Sequence, residues 1–169
     1  MTKKIYLDYA ATTPIDPKVL KTMKPYFSTK FGNPSSLHSF GQEAMAAVDE
    51  SREKIAKAIG VDFQKIIFTG SATEANNLAI RGAIKACGNY FQKPQIIVSS
   101  IEHESILETC RNLEQEGIEI IYLPVNRQGF VNLKKLKESL NERTILVSIM
   151  YANNEIGTIQ PIAEIAKII

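Results

Sequence analysis

The segment Phe68-Thr69-Gly70-Ser71-Ala72-Thr73-Glu74-Ala75-Asn76-Asn77-Leu78-Ala79-Ile80 joins a strand to a helix through a turn. The apolar run that leads into it, Lys65-Ile66-Ile67-Phe68, reads as a buried strand, Ile66–Phe68. Gly70 supplies a tight turn. Ser71, followed three residues on by Glu74, is a capping-box pattern, so a helix opens there, runs over Thr73–Cys87 and stops near Gly88-Asn89. The first-turn N–H groups of such a helix lack carbonyl partners, and the helix dipole favours negative charge in front of them. Strand, turn and capped helix together make a ready anion site. Taken alone, Ser71 and Glu74 describe a well-capped helix and nothing more; the companions downstream add the specificity.

On the C-terminal side, strand and helix go on alternating. Gln95–Ser99 is strand and Glu104–Glu116 is helix, with Ile106, Leu107, Cys110 and Leu113 inward. Glu119–Leu123 is strand, and Leu133–Leu140 is helix capped by Asn132. Thr144–Tyr151 is strand, and Ile162–Ile169 is helix entered through Pro161. The strands are apolar throughout instead of alternating, which fits a mostly parallel sheet covered on both faces. The fold class is therefore α/β.

On the N-terminal side, residues 5–16 are a short extended piece and a polar turn. Asp16 caps a helix with Pro17 at its first position. Val19, Leu20, Met23, Tyr26 and Phe27 give that helix a core face. Gly32-Asn33-Pro34 forbids a helix over residues 28–38, which form a connection or a substrate loop. Ser39–Ile59 is the clearest helix: Ser39 and Gln42 make a second capping box, Phe40, Ala44, Ala47, Val48, Ile55 and Ile59 recur at helical spacing, and Gly60 ends it.

The 169 residues are enough for one domain with a real core. Hydrophobic content of 44%, charged content of 22% and net charge +2 are ordinary for a soluble globular protein. With acids and bases interspersed, neither a nucleic-acid groove nor a membrane-surface helix is expected. Met1-Thr2-Lys3-Lys4 passes into Ile5-Tyr6-Leu7-Asp8 with no secretory apolar region, so a cytoplasmic location is expected. Cys87 and Cys110, the two cysteines, lack a CxxC partner or a histidine at ligand spacing. They read as buried, inert thiols, and no metal site is expected.

Ligands of open α/β sheets sit beyond the carboxyl ends of the strands. Three polar clusters fall at such ends: Gly70-Ser71-Ala72-Thr73, Glu102-His103-Glu104 and Asn153-Asn154-Glu155-Ile156-Gly157. The first suits phosphate. His103 could stack on a flat ring or move protons, or be a structural histidine. Asn153 and Asn154 offer uncharged amide contacts; an Asx-turn before Gly157 is their simpler reading. Three such ends in succession suggest one convergent site, and phosphate, ring and neutral polar contacts together describe pyridoxal phosphate. G-x-G-x-x-G and G-x-x-x-x-G-K-[ST] are absent, which disfavours NAD and ATP.

Several stretches, in order, resemble the cysteine desulfurases of the class V aminotransferase group. They are Tyr6–Pro14, Gly32-Asn33-Pro34-Ser35-Ser36 with His38, Thr69–Asn77, Glu102-His103, and Ser148–Gly157. The resemblance spans essentially the whole chain. It implies the fold-type-I large domain of a pyridoxal-phosphate transferase, incomplete at its C-terminus. Residues 1–15 would be a segment on the small-domain side, and 16–169 the N-terminal portion of the large domain. Ala72 and Thr73 would hold the cofactor phosphate. His103 would stack on the pyridine ring and serve as the catalytic proton carrier, and Asn154 would contact the phenolic oxygen. Asn33 and the Ala11–Thr13 stretch, Thr12 included, would lie near the active-site mouth. The implied reaction takes L-cysteine to L-alanine and leaves a persulfide on an enzyme cysteine. The sulfur would pass to acceptor scaffold proteins for iron–sulfur clusters or thiolated tRNA, in a homodimeric enzyme.

The sequence departs from that family in four places. The Schiff-base lysine of a Ser-x-His-Lys setting, the aspartate of a His-x-Asp setting, the nucleophilic cysteine loop and the carboxylate-binding arginine are not found. All four belong beyond Ile169, and neither Cys87 nor Cys110 has the nucleophile's context. The chain reads as an N-terminal part that binds cofactor weakly and does not turn over by itself. The rival expectations are another class V enzyme, such as a selenocysteine lyase or an aminotransferase, and a truncated, non-catalytic fragment.

Overall fold

The computed structural model describes residues 4–88 and 90–169. Asn89, where the sequence places one helix stop, and residues 1–3, which open the expected N-terminal segment, lie outside them. The chain forms two compact units, one ending at Phe68 and one starting at Thr69.

In the first unit, α1 (Pro17–Met23) opens as expected, with the Asp16 carboxylate accepting the N–H of Lys18 at 2.7 Å. A 3-10 turn, Lys24–Phe27, follows it. α2 (Ser39–Ile59) ends at Gly60, whose φ of 70° is the left-handed cap that glycine supplies without strain. The second capping box does not form. His38 occupies the N-cap without a side-chain cap bond, and Gln42 Nε2 donates to the Leu37 carbonyl instead. The loop before α2 lies close against it: a Cβ on Gly32 would stand 2.0 Å from the Phe40 carbonyl oxygen, and one on Gly41 2.1 Å from that of Ser36.

Two further sequence expectations fail in this unit. The face of Val19, Leu20, Met23, Tyr26 and Phe27 is exposed, Phe27 by 75%, so the apolar spacing of this helix is not matched by a packed core. A cleft of about 940 Å³ lined by Met23, Tyr26, Phe31, Val48 and Phe68 lies between the helices. Nor is Ile66–Phe68 a strand. A 3-10 turn, Phe63–Lys65, precedes it; Ile66 is extended (φ −89°, ψ 122°), but among the described residues no strand pairs with the run. Phe63 and Phe68 instead flank the Arg52 guanidinium, at 5.2 and 5.4 Å from its central carbon.

The second unit starts with α3 (Ala72–Cys87), followed by β1 (Gln95–Ser99), α4 (Glu104–Gln115), β2 (Glu119–Leu123), α5 (Leu133–Ser139), β3 (Thr144–Ser148) and α6 (Ile162–Ile168). The three strands are parallel in the order β2-β1-β3. β1 is central and buried along its whole length, as its unbroken Gln-Ile-Ile-Val-Ser run demands.

Alternate residues of β1 feed two cores. Ile96 and Val98 pack with Ile80 of α3 and with Ile106, Leu107, Cys110 and Leu113 of α4. Ile97 packs on the other face with Leu136 of α5 and Ile165 of α6. Ile96, Ile97 and Val98 are fully buried, a contribution of about 1.5–3 kcal/mol each. Helices therefore cover both faces, as the sequence predicts. At the amino end of the sheet, the buried Gln95 accepts from Thr144 Oγ1 at 2.7 Å and donates to Glu119 at 3.2 Å. Arg143 donates to Glu119 at 2.6 Å and holds that carboxyl below its ordinary range.

β3 stops at Ser148, three residues before the expected end. The N–H of Met150 is taken by the Glu102 carboxylate and cannot extend the ladder. Cys110 is buried, as expected, whereas Cys87 is only half-buried.

Candidate functional site

The chain leaves β1 toward α4 on one face of the sheet and leaves β3 toward α6 on the other. Since β1 and β3 are neighbours, their connections part at their carboxyl ends and open a crevice there. His103 lies on the first connection and Asn154 on the second.

α3 packs against α4 and β3 and brings its N-terminus to the same end. Ser71 Oγ accepts the Glu74 N–H at 3.1 Å. The Glu74 carboxylate accepts the N–H of Gly70 at 2.7 Å, one residue outside the usual reciprocal box, so its charge is spent on the loop. Ala72 and Thr73 contribute first-turn N–H groups that no intrahelical carbonyl can reach. The Thr73 hydroxyl lies beside them on an exposed turn. This donor set suits a phosphate.

His103 is the N-cap of α4 and is exposed. Its Nδ1 accepts the Ser105 N–H at 3.1 Å and lies 2.9 Å from Ser105 Oγ. Asn76, one turn after Thr73 on α3, donates through Nδ2 to that same Oγ at 2.8 Å. The phosphate-type turn and the histidine are thus linked through side chains 29 residues apart.

Two contacts join the loops after β1 and β3. The Glu102 carboxylate accepts from Met150 N, and Asn153 Nδ2 donates to the Ile101 carbonyl at 3.2 Å. Burial pushes the Glu102 carboxyl above its ordinary range, opposed by the Met150 bond. Asn153 also makes the Asx-turn that the sequence suggests, its Oδ1 accepting from Glu155 N at 2.9 Å and Ile156 N at 3.0 Å. Asn154 follows it, exposed at the crevice. The loop is anchored from behind by Gln160, which donates to the Gly129 carbonyl at 2.6 Å and accepts from Val131 N at 3.1 Å.

Ala72, Thr73, His103 and Asn154 are therefore gathered at one end of the second unit. Thr12 and Asn33 belong to the first. Thr12 is exposed, with its N–H 3.4 Å from the Asp8 carbonyl. Asn33 Oδ1 accepts from Ser35 N at 2.9 Å, and Asn33 lines a hollow of about 340 Å³ with Phe31 and His38. Sequence reasoning left Asn76, Glu102 and Ser105 without roles. Asn76 was legible in part, because three residues after Thr73 is one helical turn along the same face.

Among curated proteins, the chain is 54% identical to a cysteine desulfurase IscS of Dictyoglomus turgidum over 99% of its own length and 42% of that protein's. It is likewise 54% identical to one of Rickettsia massiliae, covering 99% and 41%. The chain thus spans about two fifths of the length of the curated relatives it matches. Among solved structures, a NifS-like protein superposes with a TM-score of 0.93 at 40% identity, over 98% of this chain and 45% of that one. SspA in complex with cysteine superposes with a TM-score of 0.88 at 41% identity, over 96% and 46%. The family model for aminotransferase class-V matches residues 5–169. With its parallel sheet, its strand-end crevice and this match along nearly its whole length, the chain belongs to the class-V aminotransferase family, whose cysteine desulfurases depend on pyridoxal phosphate.

Proposed function

We propose that this chain is the phosphate- and ring-binding part of a cysteine desulfurase that converts L-cysteine to L-alanine. The observation that carries the reading is the gathering of three features at one crevice: the open first turn of α3, an exposed histidine and an exposed asparagine. Its 54% identical relatives are named cysteine desulfurases, which supports this reading.

The donor set fits the cofactor. Neutral N–H groups and a hydroxyl suit a phosphate, and the one nearby carboxylate, Glu74, is already engaged by Gly70. Ala72 and Thr73 would bind the phosphate, and the dipole of the 16-residue α3 would favour its charge. His103 would lie against the pyridine ring and hold or move a proton at Nε2, since Nδ1 is occupied by Ser105. Asn154 would contact the phenolic oxygen. When bound, pyridoxal phosphate supplies an electron sink. The lysine, aspartate, cysteine and arginine of the resemblance are not in this sequence, so the chain by itself binds without turnover. The whole enzyme, on this reading, is a cytoplasmic homodimer that passes persulfide sulfur to acceptor proteins for iron–sulfur clusters or tRNA.

Equilibrium dialysis of the chain against pyridoxal phosphate and against pyridoxal tests this. Retention of the phosphorylated form alone is expected. Equal retention of both, or of neither, overturns the reading, as does alanine formation from L-cysteine by the chain alone.

A further inference from the structure

Ser105 presents two groups to one ring nitrogen. Its N–H lies 3.1 Å from His103 Nδ1 and its Oγ 2.9 Å from the same atom. A backbone N–H can only donate, so Nδ1 is an acceptor, and the proton of the neutral ring sits on Nε2. Ser105 Oγ in turn receives a hydrogen bond from Asn76 Nδ2 at 2.8 Å. An amide NH₂ can only donate as well, so Oγ accepts toward α3 through one of its two lone pairs, and its own proton is free to turn toward Nδ1.

We propose that Ser105, oriented by Asn76, is a positioning residue that fixes the tautomer and ring setting of His103. The donors run one way, from the Asn76 amide through the Ser105 hydroxyl to Nδ1. They leave Nε2–H as the end of the exposed ring that Ser105 does not engage, available to a bound group. The same Asn76 stands one turn beyond Thr73, so the proton-bearing ring and the phosphate-holding turn are set by one pair of packed helices. The inference rests on the reading that His103 serves the cofactor ring, but its chemistry is measurable without cofactor.

Long-range ¹H–¹⁵N NMR of the imidazoles in the full chain tests it. His38, the other histidine, is an N-cap whose side chain makes no cap hydrogen bond, and it serves as reference. In the wild type, at a pH where the ring is neutral, His103 is expected as the Nε2–H tautomer. Ser105→Ala removes the hydroxyl donor, and Asn76→Asp reverses its direction, because a carboxylate takes the serine proton. Each is expected to move the tautomer ratio about three- to tenfold toward Nδ1–H, the worth of one hydrogen bond. Ser105→Thr keeps the hydroxyl and is expected to restore the wild-type ratio.

An Nδ1–H tautomer in the wild type overturns the proposal before any variant is made. Unchanged ratios in both Ser105→Ala and Asn76→Asp overturn it too, since the backbone N–H alone would then set the ring. Failure of the dialysis experiment with these ratios intact would overturn the cofactor reading and leave the positioning role standing.

Discussion

The Glu102 carboxylate accepts the backbone N–H of Met150 across 48 residues of sequence, tying the loop that carries His103 to the loop that carries Asn154. The bond also takes the Met150 N–H, which therefore does not carry the ladder on past Ser148, where β3 ends. A single acceptor thus joins the two loops beyond the carboxyl ends of neighbouring strands.

Burial raises the folded-state carboxyl of Glu102 above its ordinary value of 4.5. Below that value the group is protonated in both folded and unfolded chains and costs nothing. As pH rises through it and past the folded-state value, the folded chain bears the cost of a buried charge. Glu102→Gln keeps an acceptor for Met150 and removes the charge. The wild-type stability curve is therefore expected to fall relative to Glu102→Gln as pH rises above about 4.5, with the variant at least as stable at pH 7. Glu102→Ala leaves the Met150 N–H unpaired and costs about 1–3 kcal/mol. Urea unfolding across pH reads all three, and equal losses in Gln and Ala would show that the charge itself is required.

Gln160 is 2% exposed and satisfies two backbone groups of the 126–131 turn. Gln160→Ala is expected to cost about 1–3 kcal/mol in urea unfolding for the buried groups it strands. Gly129→Ala strikes the same joint from the other side: φ is +83°, and the new Cβ would stand 2.5 Å from Ile156 Cδ1. A loss above about 1 kcal/mol is expected. Wild-type stability in both variants would refute this anchor.

Ser71 and Thr73 separate capping from ligand binding. Ser71→Ala loses the bond to Glu74 N and should destabilise the chain by about 1 kcal/mol. Thr73→Ala is exposed and should change stability by no more than about 0.5 kcal/mol, yet weaken pyridoxal-phosphate retention in dialysis. The reverse pattern would show the turn to be a cap alone.

Cys110 is fully buried, and burial, with Glu114 and Glu102 nearby, pushes its thiol up to about 11. A thiol reagent at pH 8 should label the half-buried Cys87 first and reach Cys110 only on unfolding. Native labelling of Cys110 at the rate of a free thiol would contradict this packing.

Local rules account for what was legible in advance. The caps at Asp16, Ser71 and Asn132, the glycine stop at Gly60 and the apolar runs of β1 and β2 are short-range choices of backbone, so the residues concerned carry them in their own order. The order of the strand-end clusters, and with it the kind of site, came the same way. What needed the folded chain was every decision made by a distant partner. Ile66–Phe68 is as apolar as a strand, but a strand exists only if another pairs with it, and none among the described residues does. The second capping box had the right residues at the right spacing, but the helix takes in Ser39 and makes His38 its N-cap, and Gln42 donates to the Leu37 carbonyl. The Met150 N–H went to a carboxylate 48 residues away, and Asn76 met Ser105, the neighbour of His103, only because α3 and α4 pack side by side. Periodicity and capping report which face of an element is apolar and where it begins; which groups finally satisfy one another depends on the packing that brings those faces together.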